Sequence, residues 1–236
     1  LFRSRMAAMG EMIGAIAHQW RQPLNLLGIL VQDLGFSYSN GDVSKEYIDT
    51  LIEDSMKQIG FMSKTIDDFR GFFRTDKMKS DFLLDKKVAE SLSMVSGMLK
   101  ANGIELKSEV QNKPIVVGYP NELSQVVLNL ISNAKDAFED ISKTAHREIE
   151  VLITADEVYG IASVSDNAGG IDEEIIGRIF DPYFTTKEEG KGTGIGLYMS
   201  KTIVETNMGG VLEVANKDNG AVFTIKIPLA EGTIGG

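Results

Sequence analysis

The chain has 236 residues, of which 43% are hydrophobic and 25% charged, so it has room for one large or two modest folded domains. Its net charge of -10 argues against a nucleic-acid-binding surface, because such a surface needs clustered lysines and arginines to neutralise phosphates. The absence of cysteine excludes disulfides and thiolate zinc sites, and two histidines are too few for a multi-histidine metal centre.

The first ~75 residues predict two long helices. Apolar residues recur alternately three and four apart, as in a coiled-coil seam, at Met6, Met9, Ile13, Ile16, Trp20, Pro23, Leu27, Leu30 and Leu34. After a polar turn over 37–42, the same spacing returns at Ile48, Ile52, Ser55, Ile59, Met62, Ile66, Phe69 and Phe73. One helical hairpin cannot cover both seams, which predicts a homodimeric four-helix bundle. A bundle that serves assembly alone is the alternative.

From about Asp81 the pattern changes to short β-rich runs separated by helical stretches, which predicts an α/β sandwich with one sheet covered by helices. Strands are predicted at 104–110, 115–119, 148–154, 159–165, 211–215 and 221–228, and helices at 86–100, 121–140 and 194–206. The polar segment 74–79 is the predicted linker, so we expect an α+β chain with domains over 1–75 and 80–232.

No apolar run approaches the roughly 18 residues that span a bilayer. The chain opens on Leu1, which we interpret as the start of an excised fragment. We therefore expect no membrane contact within this fragment, and any sensor or membrane anchor to lie outside it.

His18 is predicted on the helix face opposite the first seam, beside polar residues such as Gln22. Pro23 removes one backbone hydrogen bond from a helix that continues to Leu34, which costs about 3 kcal/mol and loosens the helix there. A neutral imidazole is a competent nucleophile near pH 7. His18 is therefore a candidate phosphoryl acceptor, although a lone histidine is more often an ordinary core or surface residue.

Two asparagines and one aspartate suggest a nucleotide site without the G-x-x-x-x-G-K-[ST] phosphate loop, which is absent. Asn129 and Asn133 are four apart on a predicted helix, so they share a face and offer carbonyl oxygens to Mg2+. Buried amides bonded to nearby backbone are the alternative. Asp166 ends a predicted strand and is a candidate acceptor for the amine of adenine, while Gly169 and Gly170 let the backbone approach the ring.

The segment 179–187 precedes a glycine run over 190–196. Its aromatic residues are candidates to pack a mobile lid. Lys187 and Lys191 are candidates to contact phosphate oxygens, and the alternative is that these lysines are ordinary solvated surface residues. A helix begins after the run, so its first backbone amides are expected to face an anion.

The segment Ala17–Leu24, in which Pro23 and Leu24 follow His18 after five and six residues, resembles the phosphoacceptor box of sensor histidine kinases. Relatives place Glu or Asp directly after the histidine, whereas this chain has Gln19, which leaves the proton acceptor open between water and phosphate, with another carboxylate less favoured. Gln22 stands where relatives hold a residue that helps to dephosphorylate the partner, which implies a phosphatase activity.

Four ordered segments resemble the N box, first glycine box, F box and second glycine box of the histidine-kinase ATP-binding domain, a fold shared with gyrase-type ATPases and heat-shock chaperones. They lie at 121–137, 165–171, 179–187 and 190–196, with 219–223 as a last glycine element. The resemblance implies ATP and Mg2+ as cofactors and Asn129 and Asn133 as metal ligands. The nucleotide-binding residues it implies are Asn129, Asn133, Lys135, Asp136, Asp166, Gly169, Gly170, Lys187, Lys191, Gly192, Thr193, Gly194, Gly196 and Leu197.

The resemblance predicts a cytoplasmic protein-histidine kinase with a dimerisation and phosphoacceptor domain over 1–75 and a catalytic ATP-binding domain over 80–232. It implies autophosphorylation of His18 and transfer to an aspartate of a response-regulator receiver domain. A gyrase-like ATPase should carry a water-activating glutamate where Asn129 stands, and a serine kinase of the anti-sigma type lacks the hairpin. A degenerate dimeric scaffold that binds ATP without autophosphorylating is the remaining alternative, and Gln19 is the feature in its favour.

Overall fold

The structure is a computed structural model that describes the backbone of residues 2–73, 78–139, 146–187 and 192–231, and the side chains of these ranges except 2–19 and 64–73. The chain divides into two compact units, Leu1–Phe73 with Thr185–Thr193, and Arg74–Phe184 with Gly194–Gly236. Within the described residues, no helix combines the length and the apolar character that crossing a bilayer requires.

The first unit contains the predicted helical hairpin, which is confirmed as helices α1 (Phe2–Asn40) and α2 (Lys45–Phe73), with Pro23 inside α1. The predicted turn over 37–42 was too long, because α1 continues through Asn40. Gly41 then reverses the chain with a φ of 77°, a left-handed conformation that glycine adopts without a steric cost. Beside this turn the Tyr47 hydroxyl donates a hydrogen bond to Asp33 Oδ2 at 2.7 Å.

Apolar side chains of the hairpin divide between an inner seam and an outer surface. Leu27, Leu30 and Leu34 of α1 are half-buried, as are Ile48 and Met62 of α2. Other apolar side chains are exposed, among them Ile29 (60%), Val31 (68%), Ile52 (52%) and Ile59 (48%). Ile52 and Ile59 belong to the predicted α2 seam, so only part of that seam is covered within one hairpin.

The described residues of the second unit form seven strands and the remaining helical elements. In chain order these are β1 (Ser80–Leu83), α3 (Leu84–Ala101), β2 (Glu105–Val110), β3 (Ile115–Gly118), α4 (Pro120–Ala137), β4 (Glu148–Ala155), β5 (Tyr159–Asp166), α5 (Glu173–Ile176), α6 (Gly196–Lys201), a π-helical turn (Thr202–Asn207), β6 (Val211–Lys217) and β7 (Gly220–Pro228). The main sheet has the order β2-β4-β5-β7-β6, in which only β2 and β4 are parallel, and β1 pairs with β3 separately.

The core of this unit lies between the helices and one face of the main sheet. Alternate residues of β4 are buried, namely Ile149, Val151 and Ile153, as expected for a strand with one covered face. The apolar stripe of α4, including Leu123, Val127 and Leu130, is also buried. Each such side chain contributes about 1.5–3 kcal/mol through burial. The predicted packing of helices on a sheet is confirmed, but the prediction of one sheet is wrong, because β1 and β3 form a separate two-stranded sheet.

Several predicted boundaries and elements differ from the structure. The helix predicted over 121–140 ends at Ala137, and the one predicted over 194–206 begins at Gly196. Gly194 has a φ of 63°, which a right-handed helix excludes. After Lys201 the helix widens into the π-helical turn, and β1 and α5 were not predicted. Most of the predicted linker, residues 74–77, lies outside the described residues.

Candidate functional site

Helix α4 fixes the two predicted metal ligands. Pro120 occupies the first helical turn, where its missing N–H has no cost, and the buried stripe of α4 anchors the helix against the sheet. Asn129 and Asn133 lie one turn apart on a flank of this stripe, and both are half-buried. The shared face predicted from their spacing is therefore available beside the core.

Asn129 joins α4 to α6. Its Nδ2 donates a hydrogen bond to Ser200 Oγ at 2.9 Å, and Ser200 is buried. A Cβ built on Gly196 would lie 2.5 Å from Asn129 Oδ1, so only glycine leaves that oxygen in place. Because Nδ2 is the donor to Ser200, the carbonyl oxygen of Asn129 is the atom that lies against Gly196. An amide carbonyl oxygen is among the hard oxygen ligands that Mg2+ prefers.

The other predicted residues of α4 and α6 have less specific surroundings. Lys135 forms an ion pair with the neighbouring Asp136, and their side chains are 22% and 15% exposed. Leu197 is a half-buried residue of α6, next to Gly196. The contact of Lys135, Asp136 and Leu197 with a nucleotide stays a prediction.

Asp166 ends β5 in a partly buried position. Its Oδ1 accepts hydrogen bonds from the backbone N–H of Ala168 at 2.9 Å and of Ala221 at 3.3 Å. Burial raises the pKa of the Asp166 carboxyl above its usual value, and this effect outweighs the two backbone hydrogen bonds, which lower it. A Cβ on Gly220 would lie 1.6 Å from the Asp166 carbonyl oxygen, so β7 approaches the end of β5 closely only because that residue is glycine.

The loop after Asp166 turns at two glycines. Gly169 and Gly170 have φ values of 91° and 79°, which side chains rarely tolerate. The Gly169 N–H donates to the Asn219 carbonyl at 2.8 Å. Asn216 holds the next residue, Ile171, by accepting from its N–H at 2.8 Å and donating to its carbonyl at 2.6 Å. The predicted adenine-side residues Asp166, Gly169 and Gly170 are thus brought together at one end of β5.

Tyr183 of the predicted lid segment contacts Gly194 of the glycine run. The Tyr183 N–H donates to the Gly194 carbonyl at 2.9 Å, and Tyr183 itself has a φ of 68°, which is unusual for a bulky residue. Lys187, Gly192 and the buried Thr193 belong to the other compact unit, and their place at a nucleotide stays a prediction. Lys191 lies outside the described residues.

The predicted phosphoacceptor segment lies on α1. Position 18 is helical, but the side chains of His18 and Gln19 lie outside the described residues. Gln22 is exposed on the same helix. The roles assigned to His18, Gln19 and Gln22 stay predictions.

Sequence reasoning missed the residues that support this site. Ser200 follows Gly196 by four positions, so the helical period alone places both on one face, where Asn129 meets them. Asn216 carries no such signal, because its contact with Ile171 joins two segments that are far apart in the sequence.

The second unit matches a known family of ATP-binding domains. Residues 118–231 match the family described as "Histidine kinase-, DNA gyrase B-, and HSP90-like ATPase". The two-component sensor PprA of Pseudomonas aeruginosa is 32% identical over 232 residues, which cover 96% of this chain and 25% of PprA. The histidine-protein kinase AtoS of Escherichia coli strain K12 is 31% identical over 227 residues, which cover 95% of this chain and 36% of AtoS.

Over nearly its whole length the chain is similar to sensor histidine kinases. It spans between a quarter and about a third of the length of these two curated relatives. The solved catalytic domain of histidine kinase ThkA is 28% identical, with a TM-score of 0.57, and covers 64% of this chain and 97% of that domain. ThkA in complex with the response regulator protein TrrA is similar in fold, with 23% identity, a TM-score of 0.66, and coverage of 97% of this chain and 64% of ThkA.

Proposed function

We propose that this chain is the catalytic core of a sensor histidine kinase, which uses Mg2+ and ATP to phosphorylate its own His18. The observation that carries the proposal is the meeting of Asn129 with Gly196 and Ser200, in a domain that matches the histidine-kinase ATPase family. If the chain were a gyrase-like ATPase, a carboxylate that activates water would stand at the position of Asn129. An amide there favours phosphoryl transfer over hydrolysis.

Two groups of residues share the proposed nucleotide binding. Asp166 accepts a hydrogen bond from the adenine amine, and the left-handed Gly169 and Gly170 keep side chains out of the way of the base. Asn129 and Asn133 present carbonyl oxygens to Mg2+, which when bound neutralises charge on the triphosphate. These residues supply positioning and charge neutralisation, which provide most of the catalysis of phosphoryl transfer.

The transfer step uses an imidazole nitrogen of His18 as the nucleophile. The bond from nitrogen to the γ-phosphorus forms while the bond from that phosphorus to the bridging oxygen breaks, and ADP leaves. The imidazole then releases one proton. Gln19 has no basicity with which to accept it, so water or the phosphate itself takes the proton.

The same proposal implies two partners, a second copy of this chain and a response regulator. The exposed apolar side chains of α1 and α2, such as Val31 and Ile52, support a homodimer through the hairpin. ThkA, a relative with a similar fold, forms a complex with a response regulator protein, and we assign the same class of partner to this chain. The phosphohistidine would pass its phosphoryl group to an aspartate of that partner. Gln22 would assist the later hydrolysis of this phosphoaspartate to aspartate and inorganic phosphate. A cytoplasmic location is part of this proposal.

Incubation of the chain with γ-labelled ATP and Mg2+ tests the proposal, with acid and base treatment of the labelled protein. We expect an acid-labile, base-stable label that His18→Ala abolishes. His146→Ala is the matched control, because His146 is the other histidine of the chain and is exposed, and this variant should keep the label. Tight nucleotide binding without any label would instead favour the scaffold that binds ATP without autophosphorylating.

A further inference from the structure

A buried carboxyl–amide pair joins the beginning of α4 to the end of the π-helical turn. Asn207 Nδ2 donates a hydrogen bond to Glu122 Oε2 at 2.8 Å. The two residues are only 3% and 4% exposed. Glutamate is almost never buried to this extent without a partner, and its burial costs stability that apolar residues of similar size would not cost. The pair is not part of the nucleotide site proposed above.

A second polar connection joins the same two helical segments. It is the hydrogen bond from Asn129 to Ser200. Along α4 the two connections lie roughly two turns apart, and along α6 and its π-helical continuation they are also seven residues apart, in the opposite order. The segments are therefore antiparallel, and the two hydrogen bonds hold both ends of their contact.

The Glu122–Asn207 hydrogen bond holds the last residue of the π-helical turn. A π-helix, with i→i+5 hydrogen bonds, is rare and frequently occurs at functional sites. Here it occupies Thr202–Asn207, between Ser200 and the end of the helix, and Asn207 is its last residue. At the far end of the contact, Asn129 Oδ1 leaves no room for a Cβ on Gly196. A small rotation or translation of α4 would therefore move that oxygen relative to the start of α6.

We propose that Glu122 and Asn207 are positioning residues for the nucleotide site. Their buried hydrogen bond sets the register of α4 against α6, and through it the place at which Asn129 offers its carbonyl oxygen. Neither residue touches the nucleotide. The inference rests on the proposed ATP site and adds two residues that fix the position of Asn129 within it.

The decisive variant removes both partners. Either single substitution, Glu122→Leu or Asn207→Leu, removes one hydrogen-bond partner from a buried polar group, so both stability and nucleotide affinity should fall. In the double variant neither polar group remains, and stability should return toward that of the parent chain. Affinity for the Mg2+ complex of the β,γ-imido analogue of ATP should nevertheless stay about tenfold or more below the parent value, because the register is no longer fixed. Recovery of affinity together with stability would show a purely structural role.

A swapped pair covers the case in which the leucine variants do not fold. Asn207→Asp places two carboxyl groups together and should weaken analogue binding, and adding Glu122→Gln restores a hydrogen bond in the reverse direction and should restore affinity. Unchanged affinity in folded Asn207→Asp would overturn the positioning role.

The control is Ile227→Val, a fully buried residue on β7, which should lose stability but no affinity. A parent chain that fails to bind the analogue would refute the proposed function itself. A parent chain that binds, alongside a double variant that binds equally well, would refute only the role of Glu122 and Asn207.

Discussion

The substitution Gly196→Ala tests whether Asn129 lies at the nucleotide site. Gly196 is the first residue of α6, and a Cβ there would lie 2.5 Å from Asn129 Oδ1 and 3.2 Å from Asn129 Nδ2. Ordinary contact begins near 3.5 Å, so the amide of Asn129 has to retreat by roughly 1 Å. The hydrogen bond from Asn129 to Ser200, at 2.9 Å, does not survive such a displacement.

Two effects on the free energy of unfolding oppose each other. Replacing glycine by alanine in a helix stabilises it by about 0.5–1 kcal/mol. Losing the hydrogen bond from Asn129 to the buried Ser200 costs about 1–3 kcal/mol. The net loss of stability should therefore be no more than about 2.5 kcal/mol. Affinity for Mg2+ and ATP should fall by about tenfold or more, because the displaced oxygen is a proposed ligand.

Thermal unfolding and calorimetric titration with Mg2+ and ATP measure the two quantities separately. Gly97→Ala is the matched control, since it makes the same substitution within α3 at a position where no atom lies within 4 Å of the new Cβ. That variant should be slightly more stable than the parent chain and bind ATP as tightly. A Gly196→Ala variant that binds as tightly as Gly97→Ala would refute the placement of Asn129 at the nucleotide.

Three further changes test other parts of the site. Asp166→Asn should leave stability unchanged or raise it. The raised pKa of Asp166 means that its ionised carboxyl disfavours the folded state, so the contribution of this residue to stability increases as pH falls. Thermal unfolding at several pH values checks this. ATP affinity of the parent chain should fall in mild acid as Asp166 takes up a proton, while Asp166→Asn should bind weakly at every pH, and equal titration curves would contradict this. Gln19→Glu should speed autophosphorylation at neutral pH by supplying a proton acceptor, and an unchanged rate of labelling would show that proton removal is not limiting. Val31→Glu, at an exposed apolar position of α1, should shift the proposed dimer toward monomer in sedimentation, and an unshifted dimer would place the interface elsewhere.

The elements that could be predicted from the sequence are those whose pattern is local. Strand β4 was recognisable because Ile149, Val151 and Ile153 alternate with more exposed residues. Strand β1 has four residues, none of them buried, and exists because it pairs with β3, about 35 residues later in the chain. The π-helical turn has no local signal either, since its last residue is held by Glu122, far away in the sequence.

The candidate site likewise has residues that the sequence predicts and contacts that it does not. Asn129 and Asn133 could be predicted as site residues because a four-residue spacing on a helix is visible without any tertiary information. The contacts that orient Asn129, with Gly196 and Ser200, depend on how α4 and α6 pack, and spacing along one helix does not reveal this. Tyr183 was predicted as part of a lid, but its left-handed backbone follows from its pairing with Gly194.

The place of β7 in the sheet sets the order in which the proposed sites can form during synthesis. Strand β7 follows every other described strand in the chain yet lies between β5 and β6, and the Ala221 N–H donates to the Asp166 side chain. A ribosome therefore releases α1 and α2 before the end of β5 beside Asp166 is complete. If the hairpin dimerises as proposed, nascent chains can pair before the proposed ATP site of either subunit is complete.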